Sequence, residues 1–282
     1  MSASELRPYL RLVPTASIRF HEQPEPSRTS KLMERIRQEA TLRNPPIVAS
    51  MSNGDYLLLD GANRVTAFRD LKYAQIPVQI VDYAQEGIQL KGWHHLLLQG
   101  RALNLRAQYA ALPGVALISV AHDQLMMLLE LRRVYAVLVD ESAAAWGLFP
   151  EPAHPPSIHQ RIAVLNKVIG GYEGQSRLER IKLADYSKLP EVIQSVDHQL
   201  CLFPVLTKEE LLQLATDGVL IPTGISRHLI PGRALGINLP LGFLSKLPDD
   251  ASRQRHFEEH LLKVEMEGRI RFYEESVFIM NE

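Results

Sequence analysis

Five consecutive residues, Asp60-Gly61-Ala62-Asn63-Arg64, carry the groups needed to handle a phosphate. They follow the apolar run Tyr56-Leu57-Leu58-Leu59 and precede Val65-Thr66-Ala67-Phe68-Arg69-Asp70-Leu71, a pattern that reads as strand, glycine turn and amphipathic helix. At such a junction the unsatisfied backbone N–H groups and the positive end of the helix dipole face whatever lies above the turn. Asp60 adds a carboxylate able to hold Mg²⁺ or orient a hydroxyl, and Arg64 adds a guanidinium fork for phosphate oxygens. An Asp-Gly turn that binds nothing has the same local appearance. The pair Arg43-Asn44 is either a second set of phosphate donors or a polar helix end.

The elements that must position this turn follow from the flanking pattern. Arg11-Leu12-Val13-Pro14 and Ile18-Arg19-Phe20 read as short extended pieces, and His21-Glu22-Gln23-Pro24-Glu25-Pro26 as a polar loop. Residues 28–42 have a helical period, with Leu32, Ile36 and Ala40 on one face and Met33 beside them, and Asn44-Pro45-Pro46 stops that helix. Ser52-Asn53-Gly54 predicts a hairpin between Ile47-Val48-Ala49 and residues 56–59, and residues 76–81 read as a closing strand. Further on, residues 125–131 are apolar all round and predict a buried helix. Residues 134–139 predict a core strand, and the proline-rich stretch 149–156 leads into a helix over 157–169. Thr207 and Glu210 form a capping box for a helix ending at Asp217-Gly218, and Val219-Leu220-Ile221-Pro222 reads as a strand. The expected architecture is α+β, with a boundary between residues 84 and 105.

Composition bounds the function. The chain has 282 residues, 46% hydrophobic and 22% charged, which suits a globular protein of one or two domains. Thirty-one basic and 32 acidic side chains leave a formal charge of −1, without the basic excess that gripping a nucleic acid requires. The single cysteine, Cys201, rules out an intrachain disulfide or a cysteine-based zinc cluster, and its apolar neighbours predict a core thiol. No apolar run approaches the ~20 residues of a membrane span, and the first residues lack a signal-peptide pattern. The expectation is a cytoplasmic protein that binds neither nucleic acid nor membrane.

The run from Leu12 to Tyr83 resembles the ParB/sulfiredoxin superfamily, whose nucleotide-binding domain carries an Asp-Gly-x-x-Arg turn before a helix. Val13-Pro14, His21-Glu22, Arg43-Asn44-Pro45-Pro46-Ile47-Val48 and the Asp60 turn together resemble the free L-serine kinases, which are archaeal ADP-dependent enzymes and an ATP-dependent enzyme encoded with siderophore biosynthesis. The pattern continues through Gly92-Trp93-His94-His95, Gly171-Tyr172, Pro222-Thr223-Gly224-Ile225-Ser226-Arg227, Gly232-Arg233 and Leu239-Pro240-Leu241. The resemblance implies a nucleotide-binding domain over residues 1–95 and a larger C-terminal α/β domain over residues 96–282 that completes the substrate site. It implies phosphorylation of free L-serine to O-phospho-L-serine by ATP or ADP with Mg²⁺. Glu22 then takes the proton of the substrate hydroxyl, and Asp60 lies near Mg²⁺ and the transferring phosphate. Gly61, Ala62, Asn63, Arg64 and Arg43 hold the nucleotide, and Trp93, Ser226 and Arg227 contact serine.

Other readings of the same residues remain open. Glu22 is also a solvated loop acid with Glu25 as its rival, His21 either orients Glu22 or caps a strand, and Trp93 is equally a core aromatic. Relatives commonly have histidine where this chain has Asn63, which cannot titrate. His94-His95, adjacent on a strand, point opposite ways and make a poor chelating pair. A ParB-like nucleotide-dependent DNA-binding regulator shares the Asp60 turn, but residues 84–135 show no helix-turn-helix.

Overall fold

The computed structural model describes residues 9–24, 26–151, 156–183, 188–193 and 195–271. Glu25 and residues 152–155 of the proline-rich stretch lie outside them. Two compact units emerge: one holds the described residues of Met1–Arg19, Pro24–Gly87 and Ile230–Glu282, the other those of Phe20–Gln23 and Ile88–Leu229. Both units are discontinuous in sequence.

The first unit opens with β1 (Tyr9–Pro14), β2 (Ile18–Arg19), α1 (Pro26–Glu39), β3 (Thr41–Leu42), β4 (Ile47–Ser50), β5 (Tyr56–Asp60), α2 (Ala62–Asp70) and β6 (Gln75–Val81). Five of the strands make a mixed sheet in the order β1-β6-β4-β5-β2. Strands β4 and β5 form the expected hairpin, with Ser50 opposite Tyr56 and Gly54 at φ +84°. Adjacent residues Val48, Ala49, Leu57 and Leu58 are all buried, so the middle of the sheet is covered on both faces. Helix α2 buries Val65, Ala67 and Phe68. Helix α1 buries Ile36, with Leu32 and Met33 half-buried, and it ends before the prolines, because Ala40 turns to φ +45°.

The second unit contains β7 (Gln89–Gly92), β8 (His94–Leu97), α3 (Leu105–Ala110), β9 (Val115–Val120), α4 (Leu125–Glu130), β10 (Ala136–Val139), β11 (Ala145–Pro150), α5 (Ile158–Gly170), β12 (Leu178–Ile181), α6 (Leu189–Val192), β13 (Gln199–Leu202), α7 (Lys208–Thr216) and β14 (Ser226–Leu229). Its six-stranded sheet runs β12-β8-β13-β10-β11-β9, and β7 pairs separately with β14. Both α5 and α7 begin with capping boxes, Ser157 with Gln160 and Thr207 with Glu210.

Two expectations need correction. Helix α4 buries Leu125, Leu128 and Leu129 but leaves Met126 and Met127 about half exposed, because a helix under two turns long packs only one face on the core. Residues 219–222 do not build a strand; Ile221 makes a single parallel bridge to Glu22, and Pro222 has no N–H with which to extend a ladder.

The chain then returns to the first unit with β15 (Leu239–Pro240), α8 (Gly242–Lys246) and α9 (Asp250–Met266). Strand β15 pairs with β3, and Gln254 of α9 accepts a hydrogen bond from the Leu12 N–H at 3.1 Å. Among the described residues no helix is long and apolar enough to cross a membrane.

Candidate functional site

The predicted turn forms at the end of β5. Gly61 has φ +104°, a conformation closed to L side chains, and a Cβ there would lie 3.0 Å from the Pro46 Cβ. The first turn of α2 closes back on it, the Arg64 and Val65 N–H groups donating to the Gly61 carbonyl at 2.9 and 3.0 Å. Ala62 and Asn63 occupy the positive end of that helix, and Asn63 Oδ1 accepts from the Thr29 hydroxyl on α1 at 3.0 Å. The Arg64 side chain reaches inward. Its Nη1 donates to the Asn44 and Pro45 carbonyls at 3.1 and 2.7 Å, and its Nη2 donates to Asp60 Oδ2 at 2.7 Å. Arg43 pairs with Glu39 one turn back along the chain, its Nη2 donating at 3.0 Å.

A residue outside the predicted set meets Asp60. Arg233 Nη2 donates to the same Oδ2 that receives Arg64. The loop carrying Arg233 is held by Gln79 of β6, which is 3% exposed; its Nε2 donates to the Gly232 carbonyl at 2.9 Å and its Oε1 accepts from the Ala234 N–H at 2.8 Å. Asn44 Oδ1 accepts from the Gly236 N–H at 2.7 Å, tying the same loop to the turn before β4. Burial works against the Asp60 charge, but the Arg64 and Arg233 guanidiniums outweigh it and hold its carboxyl below the usual carboxylate range. Asp60 is thus an ionised acceptor, with both guanidiniums on Oδ2 rather than Oδ1.

No group of three or more histidine, cysteine, aspartate or glutamate side chains able to hold a metal occurs among the described residues. A lone carboxylate still fits Mg²⁺, which is commonly held through one or two carboxylates together with substrate phosphates and water.

In the second unit, residues 20–23 are bound to the segment before β14. The Ile221 N–H donates to the His21 carbonyl at 2.8 Å, and the Thr223 hydroxyl donates to the Gln23 carbonyl at 2.9 Å. This brings Glu22 to Ser226, whose hydroxyl donates to Glu22 Oε2 at 3.0 Å. His21 Nε2 lies 3.1 Å from the same hydroxyl, and because that hydroxyl's one proton goes to Glu22, His21 is the donor. His228 stands edge-on to His21 with ring centroids 5.4 Å apart.

Trp93 is half-buried rather than a sealed core aromatic, and the Arg227 guanidinium carbon lies 4.7 Å from its ring centroid, with Lys182 at 5.5 Å. No carboxylate of the described residues pairs with Arg227, so its fork stacks on an aromatic face with its donors uncommitted to a protein anion.

His94 and His95 have structural roles, as expected from their alternation. His94 Nδ1 accepts from the Phe203 N–H at 3.2 Å. His95 Nε2 lies 2.9 Å from the Gly224 carbonyl, which can only accept; Nδ1 is therefore the acceptor for the Tyr172 hydroxyl at 2.6 Å. Burial lowers both histidines to about 4, so both are neutral. Cys201 is a core thiol pushed up to about 12 by burial.

No protein-family model matches the chain. The chain is 26% identical over 279 residues, 99% of its own length and all of the other's, to the ATP-dependent L-serine kinase SbnI of Staphylococcus aureus. It is 24% identical over 227 residues, 78% of this chain and 85% of the other, to the ATP-dependent L-serine kinase of Staphylothermus marinus. A structure of C-terminally truncated SbnI superposes with a TM-score of 0.73 at 24% identity, covering 90% of this chain and 96% of that one. A free serine kinase variant in complex with AMP superposes with a TM-score of 0.68 at 18% identity, covering 84% and 94%. The chain is therefore similar to ATP-dependent L-serine kinases in sequence, to one of them along nearly its whole length, and it shares their fold.

Proposed function

We propose that the protein phosphorylates free L-serine to O-phospho-L-serine, with ATP as donor. The observation that carries this reading is Glu22, an acid held by the Ser226 hydroxyl at 3.0 Å and joined through β14 to Arg227, which stacks on Trp93. A module that only bound nucleotide would need neither a positioned base nor an arginine suited to a substrate carboxylate.

Each unit carries residues suited to a part of this chemistry. In the first, a ParB/sulfiredoxin-like arrangement of sheet, glycine turn and helix offers donors to the nucleotide phosphates at Gly61, Ala62 and Asn63. In the second, Arg227 pairs with the α-carboxylate of serine in a planar fork while Trp93 excludes water. Glu22 accepts the proton of the serine hydroxyl as that oxygen bonds to the γ-phosphorus and the bond to the bridging oxygen breaks, releasing ADP. Ser226 and His21 fix the Glu22 carboxylate in one orientation. Asp60 is the residue suited to Mg²⁺, which when bound neutralises phosphate charge.

Purified protein incubated with Mg²⁺, free L-serine and either ATP or ADP tests this by mass spectrometry. Phosphoserine formed with ATP is the expected product, and its absence with both nucleotides overturns the reading.

A further inference from the structure

We infer that Arg233, not Arg64, is the guanidinium that binds the donor nucleotide's terminal phosphates, and that Gln79 is the positioning residue that aims it. The inference rests on the kinase reading for the identity of its ligand. The two arginines share Asp60 Oδ2 but differ in every other commitment. Arg64 also donates to the Asn44 and Pro45 carbonyls, so it serves as an internal strut joining α2 to the turn before β4. Removing it leaves two carbonyls without their donor. Arg233 lies on an exposed loop with 39% of its side chain accessible, and Asp60 is its charged partner among the described residues. A guanidinium that can leave one anion for another without abandoning backbone groups is the one suited to an incoming phosphate.

The Gln79 contacts make that aim specific. Its amide replaces a peptide group, donating to the Gly232 carbonyl and accepting from the Ala234 N–H, so the residue between them has its backbone fixed on both sides. The side chain is buried in β6 next to β4, while Asn44 holds the loop again at Gly236. Three contacts from β6 and the β3–β4 turn thus order a loop that contributes one exposed cation to the glycine turn. Once a phosphate takes Arg233, Asp60 keeps Arg64 and loses one of its two guanidiniums.

The test is calorimetric titration with ATP in the absence of serine, alongside thermal melts. Arg233→Ala is expected to raise the ATP dissociation constant about 10- to 100-fold, the loss of one charge-assisted hydrogen-bonded contact, with little change in Tm. Arg64→Ala is expected to lower Tm. Gln79→Met is expected to weaken ATP several-fold in the parent, but to have no further effect in the Arg233→Ala background, because it acts through that side chain. Unchanged ATP affinity in Arg233→Ala overturns the assignment even if the protein makes phosphoserine. Gln79→Met and Arg233→Ala losses that simply add overturn the positioning role. ATP binding that depends on Arg233 in a protein that makes no phosphoserine overturns the kinase reading alone.

Discussion

Glu22 and Gly61 are the residues at which a single atom decides the most. A carboxylate positioned as a general base contributes roughly 10²- to 10⁴-fold to a rate. Glu22→Gln keeps the shape and the hydrogen bond from Ser226 but removes the basicity. It is expected to reduce phosphoserine formation by at least about 100-fold while ATP still binds. Retained turnover in that variant would assign the proton elsewhere. Gly61 is decided by backbone alone: at φ +104°, with Pro46 3.0 Å from any added Cβ, Gly61→Ala is expected to cost about 1–3 kcal/mol in urea denaturation. A change below about 0.5 kcal/mol, the range of an ordinary surface substitution, would contradict that geometry. The glycine was legible in the sequence because an Asp-Gly step between strand and helix has few conformations. The destination of Arg64 was not, since a guanidinium fits backbone carbonyls as well as it fits phosphate. Nothing adjacent to Arg233 reveals that its loop is clamped by a glutamine 153 positions away from Gly232.

At the scale of elements, the local signals were reliable where local chemistry decides. The hairpin at Gly54 and the Thr207–Glu210 capping box formed, because the turn conformation and the cap acceptors lie within a few residues of one another. Residues 125–131 and 219–222 misled because their pattern does not record how much partner surface exists. Strand β8 shows what alternation can do: it buries His94 and His95 on opposite sides, each with an acceptor nitrogen already used. Both fall to about 4, chiefly through burial, His94 also opposed by His95 and His95 by Arg180. An unfolded histidine titrates near 6.5, so between that value and about 4 the unfolded chain holds more protons than the folded one. Stability therefore falls as pH drops through this window and is flat with respect to these groups above it. Each histidine accounts for about 3 kcal/mol of the loss. Urea midpoints at pH 7 and 4.5 are expected to differ less in His95→Gln than in the parent, despite lower stability at pH 7. An equal difference in the two proteins would mean that His95 does not stay neutral.

For the whole molecule, the sequence order conceals the division of labour. The rhythm of the first ninety residues is that of one α+β unit, yet residues 20–23 belong with Ile88–Leu229, and the chain from Ile230 returns to the unit that holds Asp60. Hydrophobic period reports which face of an element is buried, not which distant segment buries it, so these exchanges leave no local trace. Their functional consequence is that the proposed base sits early in the chain but in the second unit, while Arg233 sits late but in the first. Each ligand should therefore protect segments that are far apart in sequence. In hydrogen–deuterium exchange, ATP alone is expected to slow exchange in residues 43–46, 60–65 and 232–238. Serine alone is expected to slow residues 21–23, 92–93 and 224–228. A ligand at 100 times its dissociation constant adds about 2.7 kcal/mol to the state it binds, enough to slow exchange about 100-fold where opening and release are coupled. ATP protection confined to the second unit, or serine protection confined to the first, would reverse the assignment of donor and acceptor. Protection by ATP that spreads over residues 43–65 but spares 232–238 would remove Arg233 from the nucleotide while leaving the glycine turn in place.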